Sequence, residues 1–278
     1  MRDSEKEPKF SRREFLRLSG GVAGGLFLDQ ISPNWPEPQI KKDSPIEKEA
    51  PVRVYRPVFW GNRQRPEMAL TFDDGFCRQS VATSLEVLRA NEIKSSFFVI
   101  GRQLEAYPDL WQQAAIDGHE ICNHTYSHTY LTSLSSEQIK KEIFRWEEAA
   151  KEVLGQDYLE KVKQKHPFIR FPGGAGHKDE QVLAAVAEAG YRPIAWSADT
   201  YYAILRHYDL KVDPVLPIAQ EVADHVVGAS QRGSIFLLHW NKWDTTCLET
   251  IAAGIKEKSL KMITVSEALS EIEDSKPE

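Results

Sequence analysis

Met68-Ala69-Leu70-Thr71-Phe72, closing on Asp73-Asp74-Gly75, is the stretch from which the fold of this chain is read. Its five residues are mostly apolar or β-favouring, too few for a buried helix, and they run into a polar turn, so they read as a short buried strand. Downstream, strand-length apolar runs alternate with amphipathic segments of helical length. Ser80 to Ala90 carries Val81, Leu85 and Leu88 on one helical face, and Ser95 to Ile100 is a β-rich run stopped by Gly101. Pro108 to Asp117 reads as a helix closed by Gly118, and Ser135 with Gln138 forms a capping-box pattern that opens a longer helix. Asp179 to Ala189, Pro217 to Ala229 and Thr246 to Lys258 read as helices; Tyr191 to Ser197, Ser234 to His239 and Met262 to Val265 read as strands, with Ser266 capping a terminal helix.

Strands separated by helices imply parallel pairing in an α/β layering, as an open sheet or a barrel. About seven strands suit a barrel better than a small open sheet, and in either case reactive groups are expected where strands end at their C-termini.

Upstream the character changes. Ser11-Arg12-Arg13-Glu14-Phe15-Leu16, followed by an apolar run to Leu28, reads as a twin-arginine export signal over residues 1–30, too short to cross a bilayer. Residues 31–65 are a polar, proline-rich linker and lead-in, and 66–278 the main folded domain. The expected partners are therefore the twin-arginine export machinery and a substrate outside the cytoplasm, in the periplasm or beyond, with the signal either cut or retained as a weak anchor. No transmembrane helix beyond the signal is expected, and the chain is expected to be a monomer. The 278 residues are 41% hydrophobic and 27% charged, ordinary for a globular protein, and a net charge of −6 without a basic stripe argues against nucleic-acid binding. Three cysteines, with no CxxC, exclude zinc-thiolate chemistry and a disulfide scaffold. Cys77 and Cys122 flank the polar motifs and are a candidate pair for a disulfide after export.

Four polar motifs follow four apolar runs. Asp73-Asp74 at a strand end is a solvated turn if taken alone, since Asp-Gly is a turn dipeptide. Two adjacent carboxylates are otherwise tolerated only where a cation or a proton separates their roles. His124 and His128, four residues apart, would share one side of a helical turn within reach of one ion. Arg170, before Phe171-Pro172-Gly173-Gly174, is a surface salt-bridge residue or an orienter of a carboxylate beside a turn that offers backbone N–H groups. His239, ending Ile235-Phe236-Leu237-Leu238, is a satisfied core histidine or a proton donor.

Together, Thr71-Phe72-Asp73-Asp74-Gly75, His124-x-x-x-His128, Arg170-Phe171-Pro172-Gly173-Gly174 and Leu237-Leu238-His239 resemble carbohydrate esterase family 4, the polysaccharide deacetylases with the NodB homology domain, over about Pro66 to Leu269. The resemblance implies a distorted (β/α) barrel of about seven strands. It implies one divalent metal ion, with zinc as the default for a His₂Asp set with an open position, held by Asp74, His124 and His128. It further implies Asp73 as general base held by Arg170, His239 as general acid, the Gly173 N–H as an oxyanion donor and Leu237 against the acetyl methyl. The implied reaction is N-deacetylation of an envelope polysaccharide, peptidoglycan first, with acetate released. The alternatives are deacylation of another amide, in a chitin-type oligomer or lipid-linked sugar, or a catalytically weak carbohydrate-binding relative.

The resemblance fails at one place. An Asp-Trp pair usual in the family, whose aspartate partners the acidic histidine, falls here on Tyr202 and Ala203, and Asp199 is the nearest carboxylate in the sequence. Tyr202 then substitutes as a groove residue, and Trp240 and Trp243 are candidate platforms for sugar faces.

Overall fold

The computed structural model describes residues 52–270, so the twin-arginine signal and most of the linker lie outside the described residues. Eight short strands form one sheet: β1 (Glu67–Asp74), β2 (Ser96–Val99), β3 (Glu120–Asn123), β4 (Phe168–Ile169), β5 (Arg192–Pro193), β6 (Ala198–Asp199), β7 (Ile235–His239) and β8 (Lys261–Ile263). Their order is β5-β4-β3-β2-β1-β7-β6, every pairing is parallel, and β8 joins at β1. Ala69 pairs with both Ile235 and Ile263, while Thr71 pairs with both Ser96 and Leu237. Strands β8 and β2 therefore share one edge of β1, β8 along its first half and β2 along its second.

The two outer strands, β5 and β6, are successive pieces of one segment, and this curls the sheet into the barrel form that the alternating pattern predicts. The Ile194 N–H donates to Ile169 of β4, the Ala195 N–H to Val58, and the Ser197 N–H already to Ile235 of β7, at 2.7–2.8 Å. The single strand expected from Tyr191 to Ser197 is thus broken: a chain passing from one side of the barrel to the other within four residues cannot stay paired with either neighbour.

Side-chain alternation, with its period of two, sorts the strands into two layers. Met68, Leu70 and Phe72 of β1, Phe97 and Val99 of β2, and Phe236 and Leu238 of β7 pack outward into the large core shared with the helices. Ala69, Phe98, Cys122, Phe168, Ile194, Ile235 and Ile263 fill a smaller second core. The helix Ser136–Leu154 is the longest among the described residues, and its N-terminus carries both halves of the capping box read from Ser135 and Gln138.

Several local expectations change. Gly101 does not merely stop β2; it begins the helix Gly101–Ala106. The helix Thr246–Lys258 is two pieces, Lys242–Thr246 and Leu248–Glu257. The last helix is capped by Thr264 with Glu267, while Ser266 hydrogen-bonds the buried Glu120. The helix Gln156–Lys165 went unread because its sequence is strongly polar, with only Leu159 and Val162 buried.

Candidate active site

Strand register gathers the polar motifs. Asp73 is paired with His239, Asp74 with Val99, Val99 with Asn123, and Asn123 with Ile169, so the residues that follow these strands emerge at one end. Asp73, Asp74, His124, His128, Gly173, Leu237 and His239 line one cleft of about 420 Å³, together with Tyr130, Trp196, Tyr202 and Trp243.

Asp73, Leu237 and His239 share the inward parity of Ala69 and Ile235. Arg170 is fully buried beneath them, where burial pulls its guanidinium below the ordinary value and the charge of Asp73 opposes the shift. Its Nη1 donates to Asp73 Oδ1 at 2.7 Å and to Thr71 Oγ1 at 2.8 Å, its Nε and Nη2 donate to the carbonyls of Ile194 and Ala195, and its plane lies 4.0 Å over Phe98. A buried arginine with every nitrogen committed is a rigid clamp, not a surface ion pair. It fixes one oxygen of Asp73 and leaves Oδ2 for other chemistry.

Strand parity alone would send Asp74 toward the helix layer with Phe72. A positive φ of 81° ends the strand and turns it into the cleft, a conformation that costs energy for any residue but glycine. Its Oδ1 lies 3.4 Å from His124 Nε2 and 3.3 Å from His128 Nε2, and it is buried without a hydrogen-bond donor. Burial raises the Asp74 carboxyl, but the closeness and charge of His124 and the charges of His239 and His128 outweigh it and hold the group below its usual range.

The two histidines are not on a helical turn, as their spacing suggested. They lie on the loop after β3, which bends through positive φ at Thr125 (63°) and His128 (64°). Side chains pin this loop: Thr125 N–H donates to Asn123 Oδ1, His128 N–H to Thr125 Oγ1, and Ser127 donates from both N–H and hydroxyl to Glu142 Oε2. His124 Nδ1 lies 2.8 Å from the Arg170 carbonyl, which can only accept, so this nitrogen carries the proton and Nε2 offers its lone pair to the cleft. One carboxylate oxygen and two imidazole nitrogens, all within 4.8 Å of one another, thus converge with no donor between them. Such a set fits a divalent cation, and the buried, donorless Asp74 Oδ1 is the observation that requires something positive there.

Gly173 takes φ 60° beside Tyr130: a Cβ at this position would meet Tyr130 Cε1 at 2.9 Å. Trp243 and Tyr202 line the cleft, the tyrosine half exposed. Trp240 does not. Following strand alternation one step past His239, it turns into the helix-side core, stacked on Phe72 at 5.5 Å and edge-on to Phe97 and Trp111. Cys77 is exposed and Cys122 buried, and both are free thiols.

Sequence reasoning missed Asp244. This fully buried residue accepts from the His239 N–H at 2.8 Å, whereas Asp199, expected as the nearest carboxylate, accepts from Trp196 Nε1 and the Tyr202 N–H. Burial pushes the Asp244 carboxyl up, with His239, Thr200 and Asn241 opposing. The signal was present in His239-Trp240-Asn241-Lys242-Trp243-Asp244, where Asn241 and Asp244 begin a short helix.

Comparison with known proteins agrees with this architecture. Residues 61–194 match the family described as Polysaccharide deacetylase. A peptidoglycan-N-acetylglucosamine deacetylase of Bacillus cereus is 31% identical over 206 residues, 73% of this chain and 87% of that protein. A chitooligosaccharide deacetylase of Rhizobium leguminosarum bv. trifolii is 32% identical over 170 residues, 61% and 69% of the two chains. The crystal structure of the Bc1960 peptidoglycan N-acetylglucosamine deacetylase superposes with a TM-score of 0.66 at 26% identity, covering 78% of this chain and 94% of that one. The chain belongs to the polysaccharide deacetylase family, a family of hydrolases acting on amide bonds.

Proposed function

We propose that this protein is a metal-dependent N-deacetylase of an envelope polysaccharide, with peptidoglycan as its first substrate, acetate as one product, and export through the twin-arginine pathway. The observation that carries the reading is the pairing of opposite fates in adjacent carboxylates: Asp73 clamped by a buried arginine, Asp74 aimed with two imidazole nitrogens at one point. Asp74, His124 and His128 would hold the cation, zinc by the chemistry of the donors, and it would supply Lewis acidity that acidifies water and polarises the substrate carbonyl.

The chain's own residues do the rest. With Oδ1 held by Arg170, Asp73 accepts the proton of the attacking water at Oδ2. The Gly173 N–H donates to the carbonyl oxygen as it gains negative charge. His239 gives its proton to the departing amine nitrogen, so that acetate and a free amino sugar leave. Leu237 packs against the acetyl methyl, and Tyr202 and Trp243 wall the cleft where aromatic faces suit sugar rings. The names of the Bacillus cereus relatives support peptidoglycan; that of the Rhizobium relative favours a second reading, a chitin-type oligomer.

Metal content and acetate release, measured together on wild type and Asp73→Asn with peptidoglycan and N-acetylglucosamine oligomers, test this. The expected outcome is about one metal per chain in both proteins, with acetate release lower in the variant by about 10²–10⁴-fold, the usual worth of a positioned base. A wild type that binds metal but frees no acetate from either glycan would sink the reading.

A further inference from the structure

Asp244 is the buried acid for which the roles above leave no task. It is fully buried in the short helix Lys242–Thr246, five residues beyond the strand end that carries His239. Asn241 aims it: the Asn241 Oδ1 accepts from the N–H groups of Trp243 and Asp244 at 2.9 Å each, which turns the aspartate side chain back toward the strand. Its Oδ2 then gathers three donors, the His239 N–H at 2.8 Å, Asn241 Nδ2 at 2.9 Å and the buried Thr200 hydroxyl at 3.1 Å. Its Oδ1 is buried with no hydrogen-bond partner. A carboxylate taken wholly out of water is costly, and three donors on one oxygen are what make its charged form tolerable there. The cleft's other nearby carboxylate, Asp199, has both oxygens engaged by Trp196 and Tyr202. His239 also interacts by charge with Asp74 and His128, and Cys247 interacts with Asp244, but of Asp74, His128 and Asp244 only Asp244 is also hydrogen-bonded to His239.

We propose that Asp244 is the positioning residue of His239: it ties down the backbone on which the imidazole is mounted and keeps a carboxylate close to that residue. It thereby does from the C-terminal side of β7 what Tyr202, which carries no carboxylate, cannot do. The inference rests on the reading of His239 as proton donor to the departing amine, and its physical logic is that of any imidazole oriented by a carboxylate. Thr200, the residue after β6, serves the same device by holding Oδ2 in place.

Two substrates that differ in their leaving group test it. An N-acetylglucosamine oligomer expels an amine that needs a proton, whereas an aryl acetate expels a phenolate that needs none. Values of kcat/KM are measured on the metal-loaded wild type, Asp244→Asn, Thr200→Val and His239→Ala, with near-UV dichroism and metal content as checks on folding. We expect the amide-to-ester rate ratio to fall about tenfold or more in Asp244→Asn, in the same direction but less in Thr200→Val, and furthest in His239→Ala, within the range a positioned acid supplies. An unchanged ratio in Asp244→Asn with a lowered one in His239→Ala overturns the proposal and leaves the proton-donor reading standing. An unchanged ratio in His239→Ala overturns both. If Asp244→Asn does not fold, Thr200→Val decides alone, and an unchanged ratio there overturns the proposal.

Discussion

Asp73 and Asp74 are the same residue type, adjacent in the chain, and their environments part them completely. One stays on the strand and meets a buried arginine; the other leaves it through a positive φ and meets two histidines. Backbone conformation, not side-chain chemistry, assigns the roles, and the same holds at Gly173. Its φ of 60°, and Tyr130 Cε1 standing 2.9 Å from where a Cβ would lie, leave no unstrained place for a methyl group. Gly173→Ala should therefore cost on the order of 1 kcal/mol of stability, seen in a urea midpoint. It should also lower kcat on the amide by about tenfold or more as the donor N–H shifts. A variant with wild-type kcat would remove this N–H from the reaction.

The loop after β3 behaves as an element although it has no regular structure. Its two left-handed residues need holding, and Glu142 of the helix Ser136–Leu154 holds them by accepting from the N–H and the hydroxyl of Ser127 at 2.8 and 2.9 Å. The same helix anchors β2 through Trp146 Nε1 on the Val99 carbonyl at 2.7 Å. Replacing Glu142 with Leu should loosen the loop and weaken cation binding by about 10–100-fold, the usual effect of losing a partner that orients a ligand, as read by calorimetric titration. Ser135→Ala, which removes half of the capping box of this helix, should cost about 1 kcal/mol without changing cation affinity. Equal affinity losses in the two variants would mean that helix stability, not the Glu142 contact, shapes the loop.

Two properties belong to the whole molecule. A cation that binds only the folded chain adds to its stability by mass action, about 4 kcal/mol at a thousandfold excess over Kd. Chelation should then lower Tm by about 10 °C, and zinc should restore it in wild type but not in a chain lacking both His124 and His128. The second is acid sensitivity. His119 is buried against Phe97, with Nδ1 accepting from the Ser95 N–H and Nε2 unpartnered, and burial, reinforced by the charge of Lys94, lowers its pKa from 6.5 to about 4. A depressed folded pKa means that the unfolded chain takes up the proton first as pH falls. Stability from this group is thus complete above about 6.5, is lost progressively down to about 4 and is level below that. The loss is on the order of 3 kcal/mol, and His119→Asn should flatten the dependence of the urea midpoint on pH over that interval. His166 is depressed by burial in the same direction, so the slope should shrink without vanishing.

Much of this protein was legible before any coordinates. Strand β1, the helices that close just before Gly118 and Gly190, the capping box at Ser135 and the clustering of polar residues at strand ends follow from local rules: alternation, amphipathic spacing, caps and breakers act over a few residues, and a sequence displays them directly. Four polar motifs in order also carried the family. The tertiary structure alone decided the rest. It bent the expected strand Tyr191–Ser197 between two neighbours, because closing the sheet outweighs local pairing. It brought His124 and His128 together through a strained loop in place of a helical turn, because side chains from another helix and from Asn123 hold that loop. It packed Trp240 outward into the helix-side core, and it set Asp244 against the His239 N–H. Each of these depends on what packs against a residue from distant parts of the chain, which neither spacing nor composition encodes.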